Sequence, residues 1–300
     1  MILVRLSGGL GNQMFQYAFG FFLATKNNTV VKMDQSLLLK KSNNKNAVYR
    51  DYSMGFFSLS GTFASDFEQY RFKAPSSHSY SYRLFFKVRN ILFSSATAYQ
   101  TMHRFEPIHL NLKNCCIVGR WQSELYFEPV KEELKKEFQF KNELPEVYKT
   151  YAVNIKREDS VGVHVRRGDY VTNELYAGSI GALSESYYQE AINLMKLKMA
   201  KARFFVFSED LDWCKDTIKG DDITFVDSRG LQNSTECDLH LISLCKHHII
   251  SNSTFSWWGA WLGERSDSIV IAPEKWAKMA EYIPPLIVPD RWLKINNHFE

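Results

Sequence analysis

Apolar positions along the second half of the chain fall into short runs separated by longer stretches of helical spacing. The runs Ser160–Val165, Phe204–Ser208, Ile223–Val226, His248–Ser251 and Ser268–Ala272 predict strands of about five residues. The stretches between them predict helices over Glu185–Lys201, Asp212–Lys219, Thr235–Lys246 and Phe255–Gly263. Strands apolar on both faces, alternating with helices, are the pattern of a parallel sheet covered on both sides. Such sheets bind ligands beyond the carboxyl ends of their strands.

The first half is less regular. Ile2–Leu6 reads as a strand, a glycine-rich turn follows, and a helix over Asn12–Lys26 leads to the strand Thr29–Met33, which makes one β-α-β unit. From Gln35 to Asn114 the pattern loosens into Tyr- and Phe-rich sequence with Ser-rich loops such as PSSHSYS, where few elements can be assigned. A chain of 300 residues with 45% hydrophobic content is long enough for two domains, placed at residues 1–150 and 151–300.

Charge and cysteine usage narrow the class. The 37 basic and 33 acidic residues are dispersed, so no basic stripe points to a nucleic-acid partner. Five cysteines without C-x-x-C or Cys/His ligand spacing disfavour a disulfide framework or zinc site and fit a reducing cytoplasm. The chain opens directly on strand-like sequence without the pattern of a signal peptide, and its sequons at Asn27, Asn233 and Asn252 then carry no glycosylation reading. The apolar run Met14–Ala24 is too short for a membrane-spanning helix, which needs roughly 20 residues. Phe85 and Phe86 with Arg83, Lys87 and Arg89 read either as a buried helix with a basic edge or as a peripheral membrane contact.

Three loops at predicted strand ends carry unusual chemistry. In VHVRRGDY, His164 and Arg166 point to one side of the strand and Arg167 to the other. A guanidinium there can hold a phosphate bidentately, whereas a solvated turn with an internal Arg–Asp pair is the plainer reading. In SNSTFSWWGAWL, Asn252, Ser253 and Thr254 lead into a helix, an arrangement suited to an anion and equally to simple helix capping. Trp257, Trp258 and Trp261 are assigned to packing. In SGGLGNQMF, Gly9, Gly11 and Asn12 are candidates for backbone approach to a pyrophosphate, although Met14 stands where the dinucleotide fingerprint has its third glycine.

GGLGNQMFQYAFG, VHVRRGDY and SNSTFSWWGAWL, in this order, resemble the bacterial α1,2-fucosyltransferases, an inverting glycosyltransferase family using GDP-fucose. The likeness extends through FFVFSEDLDWCK and DLHLISLCKH. It implies an α/β fold of GT-B type, two Rossmann-type domains facing a cleft, with the nucleotide-sugar domain C-terminal. It further implies that Arg166 holds the β-phosphate, that His164 and Asp238 bind the nucleotide, and that neither metal nor cofactor is needed. The donor would be GDP-fucose, and the acceptor a galactoside on a surface polysaccharide repeat at the cytoplasmic face of the membrane. Asp169 and Glu174 are the candidate general bases. Asp210-x-Asp212 could hold a divalent ion, but both acids also open a helix, where capping accounts for them. Asp238 could likewise be the acid of a capping box that begins at Thr235. Non-catalytic glycan or nucleotide-sugar binding, and transfer of another GDP-sugar, stand as alternatives.

Overall fold

The computed structural model describes residues 1–39, 50–72, 96–100, 105–284 and 286–300. The basic aromatic segment Arg83–Arg89 lies outside the described residues. The chain forms two compact units, one of residues 1–141 with 285–287 and the other of residues 142–284 with 288–300. Each is built on its own parallel sheet, so the α/β reading with two Rossmann-type units holds.

The N-terminal unit contains β1 (Ile2–Arg5), β2 (Val31–Asp34), β3 (Thr62–Phe63), β4 (Ala96–Tyr99) and β5 (Cys115–Val118), in the order β3-β2-β1-β5-β4. All pairings are parallel. The helix Leu10–Lys26 follows β1 and is buried along most of its length. β3 has two residues and β4 four, too little for a periodic signal in sequence.

The C-terminal unit contains β6 (Asp159–Val165), β7 (Ala202–Ser208), β8 (Ile223–Phe225), β9 (His247–Ile249), β10 (Val270–Pro273) and β11 (Leu293–Ile295). Their order, β11-β10-β9-β6-β7-β8, is the doubly wound dinucleotide-fold arrangement, again parallel throughout. The run Phe204–Phe207 is continuously apolar because its two faces meet different cores. Phe204 and Val206 pack with Tyr187, Tyr188 and Met195 of the helix Glu185–Lys198. Phe205 and Phe207 pack with Tyr148, Ile155, Leu241 and Ile242 of the helices Glu146–Arg157 and Ser234–Leu244. Trp257, Trp258 and Trp261 are fully buried in the helix Thr254–Gly263, as their assignment to packing requires.

Predicted and observed element ends differ by at most three residues. The helix from Glu185 stops at Lys198 rather than Lys201, because the chain turns there and Ala202 N bonds to Met199 O at the start of β7. The five cysteines are all free and buried, Cys115 and Cys116 in the first unit and Cys214, Cys237 and Cys245 in the second. Burial pushes their thiols upward, to about 12 at Cys116 and Cys214.

The sheet order reverses between β6 and β9, which places a crevice at their carboxyl ends. There the buried Tyr187 hydroxyl donates to Ile250 O at 2.6 Å and holds the chain just before Ser251. Tyr187→Phe leaves that buried carbonyl short of a donor. It is expected to lower unfolding stability by about 1–2 kcal/mol, read as a lower urea midpoint with unchanged slope.

Candidate active site

Arg166 and Ser251 leave neighbouring strands at this reversal, and His164 joins the two loops. Its Nδ1 lies 2.5 Å from Ser256 Oγ and 3.3 Å from Ser251 Oγ, while the two hydroxyls are 2.8 Å apart. Burial, with Arg166 nearby, pushes His164 down to about 3, so the ring is neutral. The structure therefore brings His164, Arg166 and the Ser251–Thr254 loop together.

The two arginines have separate fates. Arg166 bonds through Nη2 to Asp169 Oδ1, has Nη1 3.4 Å from Glu209 Oε1, and lies over the Tyr170 ring at 5.4 Å. Burial works against its charge, but Glu209 and Asp169 outweigh burial and hold the guanidinium above its ordinary basicity. Arg167 reaches Asp210 Oδ2 at 2.9 Å and Glu300 Oε2 at 2.5 Å, with Trp213 4.2 Å beneath it. The pleat explains this: Arg167 points to the opposite side from Arg166, and Asp169 goes to Arg166. Gly168 has φ +20°, and a Cβ there would lie 2.6 Å from Glu209 Oε1, so the turn closes only because this side chain is absent.

Asp210 caps the helix Leu211–Thr217 by accepting from Trp213 N at 3.3 Å, and Asp212 pairs with Arg229. No group of three or more His, Cys, Asp or Glu residues among the described residues is arranged to hold a metal. Glu174 is exposed in the first turn of the helix Glu174–Ser179, whose cap is Asn173.

Asn252 is fully buried. Its Nδ2 donates to Gly181 O and Trp276 O, while its Oδ1 has no protein partner. Ser253 occupies the cap position of the helix Thr254–Gly263 but makes no side-chain cap bond, which overturns the capping reading for this residue. Thr254 opens the helix.

Asp238 departs furthest from its plain reading. The helix Ser234–Leu244 is entered through Asn233 in the left-handed region, with no side-chain cap, so no capping box forms. Instead Asp238 Oδ2 accepts from Ser228 Oγ at 2.8 Å, and the buried Oδ1 has no protein partner. Burial outweighs the Ser228 bond and pushes the acid up to about 7, with Glu209 adding to the rise. Tyr148 also carries a buried hydroxyl without a partner; burial and the Asp238 charge push it up to about 12.

In the N-terminal unit the left-handed residue of the glycine loop is Gly8, at φ +74°, not Gly9 or Gly11. Gly9 is the helix cap in extended conformation, and Gly11 is buried within the first turn. Asn12 Oδ1 accepts from Gln122 Nε2 at 2.6 Å. Two buried glutamines pin the loop: Gln13 bonds Gly8 O, Asp51 O and Ser53 N, and Gln16 bonds Ser7 and Gly119 O. Glu209, Ser228, Tyr148, Gln13 and Gln16 carry no isolated sequence signal; only a doubled glutamine at helical spacing after the glycines marks the last two.

A family model described as glycosyl transferase family 11 matches residues 1–283. The chain belongs to that family. Among the relatives of this family 11 glycosyltransferase is an α-1,2-colitosyltransferase of Escherichia coli, 33% identical over 309 residues and covering 99% of both chains. The O-antigen biosynthesis glycosyltransferase WbnK of Escherichia coli is 30% identical over 288 residues, covering 90% of this chain and 93% of that one. A galactoside 2-α-L-fucosyltransferase of Mus musculus is 26% identical over 271 residues, covering 87% of this chain and 64% of that one.

The raised pKa of Asp238 gives this glycosyltransferase a pH-dependent stability. Its reference value is 3.8, so the contribution is fully present below about pH 4 and is lost as pH rises through about 7. Asp238→Asn removes the titration. Thermal unfolding is expected to fall between about pH 5 and pH 8 in the parent protein and to change less in the variant.

Proposed function

We propose that the protein is an inverting α1,2-fucosyltransferase, moving L-fucose from GDP-fucose to the 2-hydroxyl of a terminal galactose in a surface polysaccharide or O-antigen repeat. The observation that carries this reading is that a partly exposed guanidinium and a buried carboxylate oxygen without a protein partner both lie within the field of Glu209 at the end of β7. Arg166 suits a diphosphate. Asp238, when ionised, suits the adjacent N–H donors of guanine. The names of the mouse galactoside fucosyltransferase and of WbnK support the linkage and the glycan class.

Cleavage of the bond between sugar C1 and the diphosphate leaves negative charge on the departing GDP. Arg166 neutralises that charge as it develops, and the uncapped start of the helix Thr254–Gly263 offers N–H groups to the same anion. His164, Asn252, Ser253 and Thr254 are proposed to shape this anion side, and Gly9, Gly11 and Asn12 are proposed as further donor-binding residues. Asp169 keeps Arg166 oriented. A loosely dissociative transfer asks little of a base, and Asp169 and Glu174 are the carboxylates proposed for the acceptor proton. An acceptor on a lipid carrier would bring the protein to the inner membrane face peripherally. No helix among the described residues is long and apolar enough to cross a membrane.

A second reading has the same chemistry acting on another GDP-sugar, favoured by the 33% identical relative named for colitose. Competition between the two donors in one assay, with the product linkage determined by NMR, separates them.

Transfer is proposed to be metal-independent, so turnover in EDTA is expected to match turnover without it; complete loss restored by Mn²⁺ would instead make Asp210 and Asp212 ligands.

Arg166→Lys keeps charge but loses the planar two-pronged contact, and turnover at saturating donor is expected to fall roughly 100-fold or more. Arg167→Lys breaks the Asp210 and Glu300 contacts over Trp213 and is expected to lower melting temperature more than turnover. Near-normal turnover in Arg166→Lys would remove Arg166 from the chemistry, and collapse in Arg167→Lys alone would reassign it.

A further inference from the structure

Glu209 is the charge at the site that neither the motifs nor the family likeness singles out. Its Oε1 accepts from Arg167 N at 2.9 Å and fills the space that a Cβ on Gly168 would need. A carboxylate held by backbone in this way cannot swing far from the strand end. The same oxygen is 3.4 Å from Arg166 Nη1, longer than the roughly 2.7–2.9 Å of a charge-assisted hydrogen bond. Its hold on Arg166 is therefore Coulombic, and the guanidinium can leave it.

Arg166 thus faces two carboxylates, Asp169 on Nη2 and Glu209 on Nη1, before any anion arrives. A site shaped only to grip a diphosphate would have no use for the second negative charge, which repels the ligand. We propose that Glu209 is a resident competitor for Arg166, holding the guanidinium in the donor-free protein and weakening its grip on the nucleoside diphosphate so that the product leaves. This rests on the reading of Arg166 as the diphosphate-binding residue. A mere buttress would act with the opposite sign, since its loss would loosen Arg166 and weaken binding.

Glu209→Gln separates the two, because the amide oxygen can still accept from Arg167 N while the charge is gone. GDP is expected to bind at least about threefold tighter by calorimetry, with a lower KM for the donor and a lower kcat as release slows. Glu209→Asp keeps the charge and is expected not to tighten GDP. Unchanged or weaker GDP binding in Glu209→Gln, or equal tightening in Glu209→Asp, would overturn the proposal. Arg166→Ala, measured in parallel, tests the underlying reading: GDP affinity unaffected by it would remove both, whereas GDP loss there without tightening in Glu209→Gln removes the Glu209 proposal alone.

Discussion

β6 and β9 run side by side, and the loops that follow them are joined by an imidazole bonded to two hydroxyls. Arg166 and Asn252 both stand within two residues of that joint. Two residues beyond His164 the guanidinium of Arg166 emerges, and Asn252 follows directly from the Ser251 that the imidazole holds. Because burial keeps the ring uncharged down to about pH 3, the joint does not titrate in the range where a cell or an assay operates. What does titrate near neutrality is Asp238, so a pH effect on this site is traced to the Ser228–Asp238 contact rather than to the imidazole joint.

Adjacent arginines have been given unlike surroundings. Arg167 is closed in by two carboxylates and an indole and ties the end of β6 to the end of β7 and to the C-terminal segment. Arg166 keeps about a quarter of its side chain exposed, with one edge turned to Asp169. The first is a fastener and the second is left partly open, and their opposite directions are enough to divide them.

Much of the C-terminal unit was legible in sequence, because strands buried on both faces leave runs such as Phe204–Phe207 that no surface element would tolerate. Arg166, Asp169 and the Ser251–Thr254 loop were legible for a related reason, each standing at the end of such a run. Glu209 and Tyr148 were not. What sets them apart is a hydrogen bond from Arg167 N, 42 residues away in sequence, for Glu209 and the charge of Asp238, 90 residues away, for Tyr148, and their own neighbourhoods are ordinary. The capping-box alternative for Asp238 fails although T-x-x-D looks like a cap, because the chain enters that helix two residues before Thr235, through a left-handed Asn233. Gly8 was passed over for Gly9 and Gly11 because the spacing of glycines does not tell which one bears the turn. In the N-terminal unit, strands of two to four residues are held by pairing rather than by pattern.

The buried cysteines make each unit its own reporter. None of the five thiols is more than 2% exposed, and burial keeps them protonated, the unreactive form toward alkylating reagents. Labelling can then proceed only when the surrounding core opens. Cys115 and Cys116 time the opening of the N-terminal unit, and Cys214, Cys237 and Cys245 that of the C-terminal one. Mass spectrometry of the labelled peptides would resolve the breathing of the two halves without a single introduced probe.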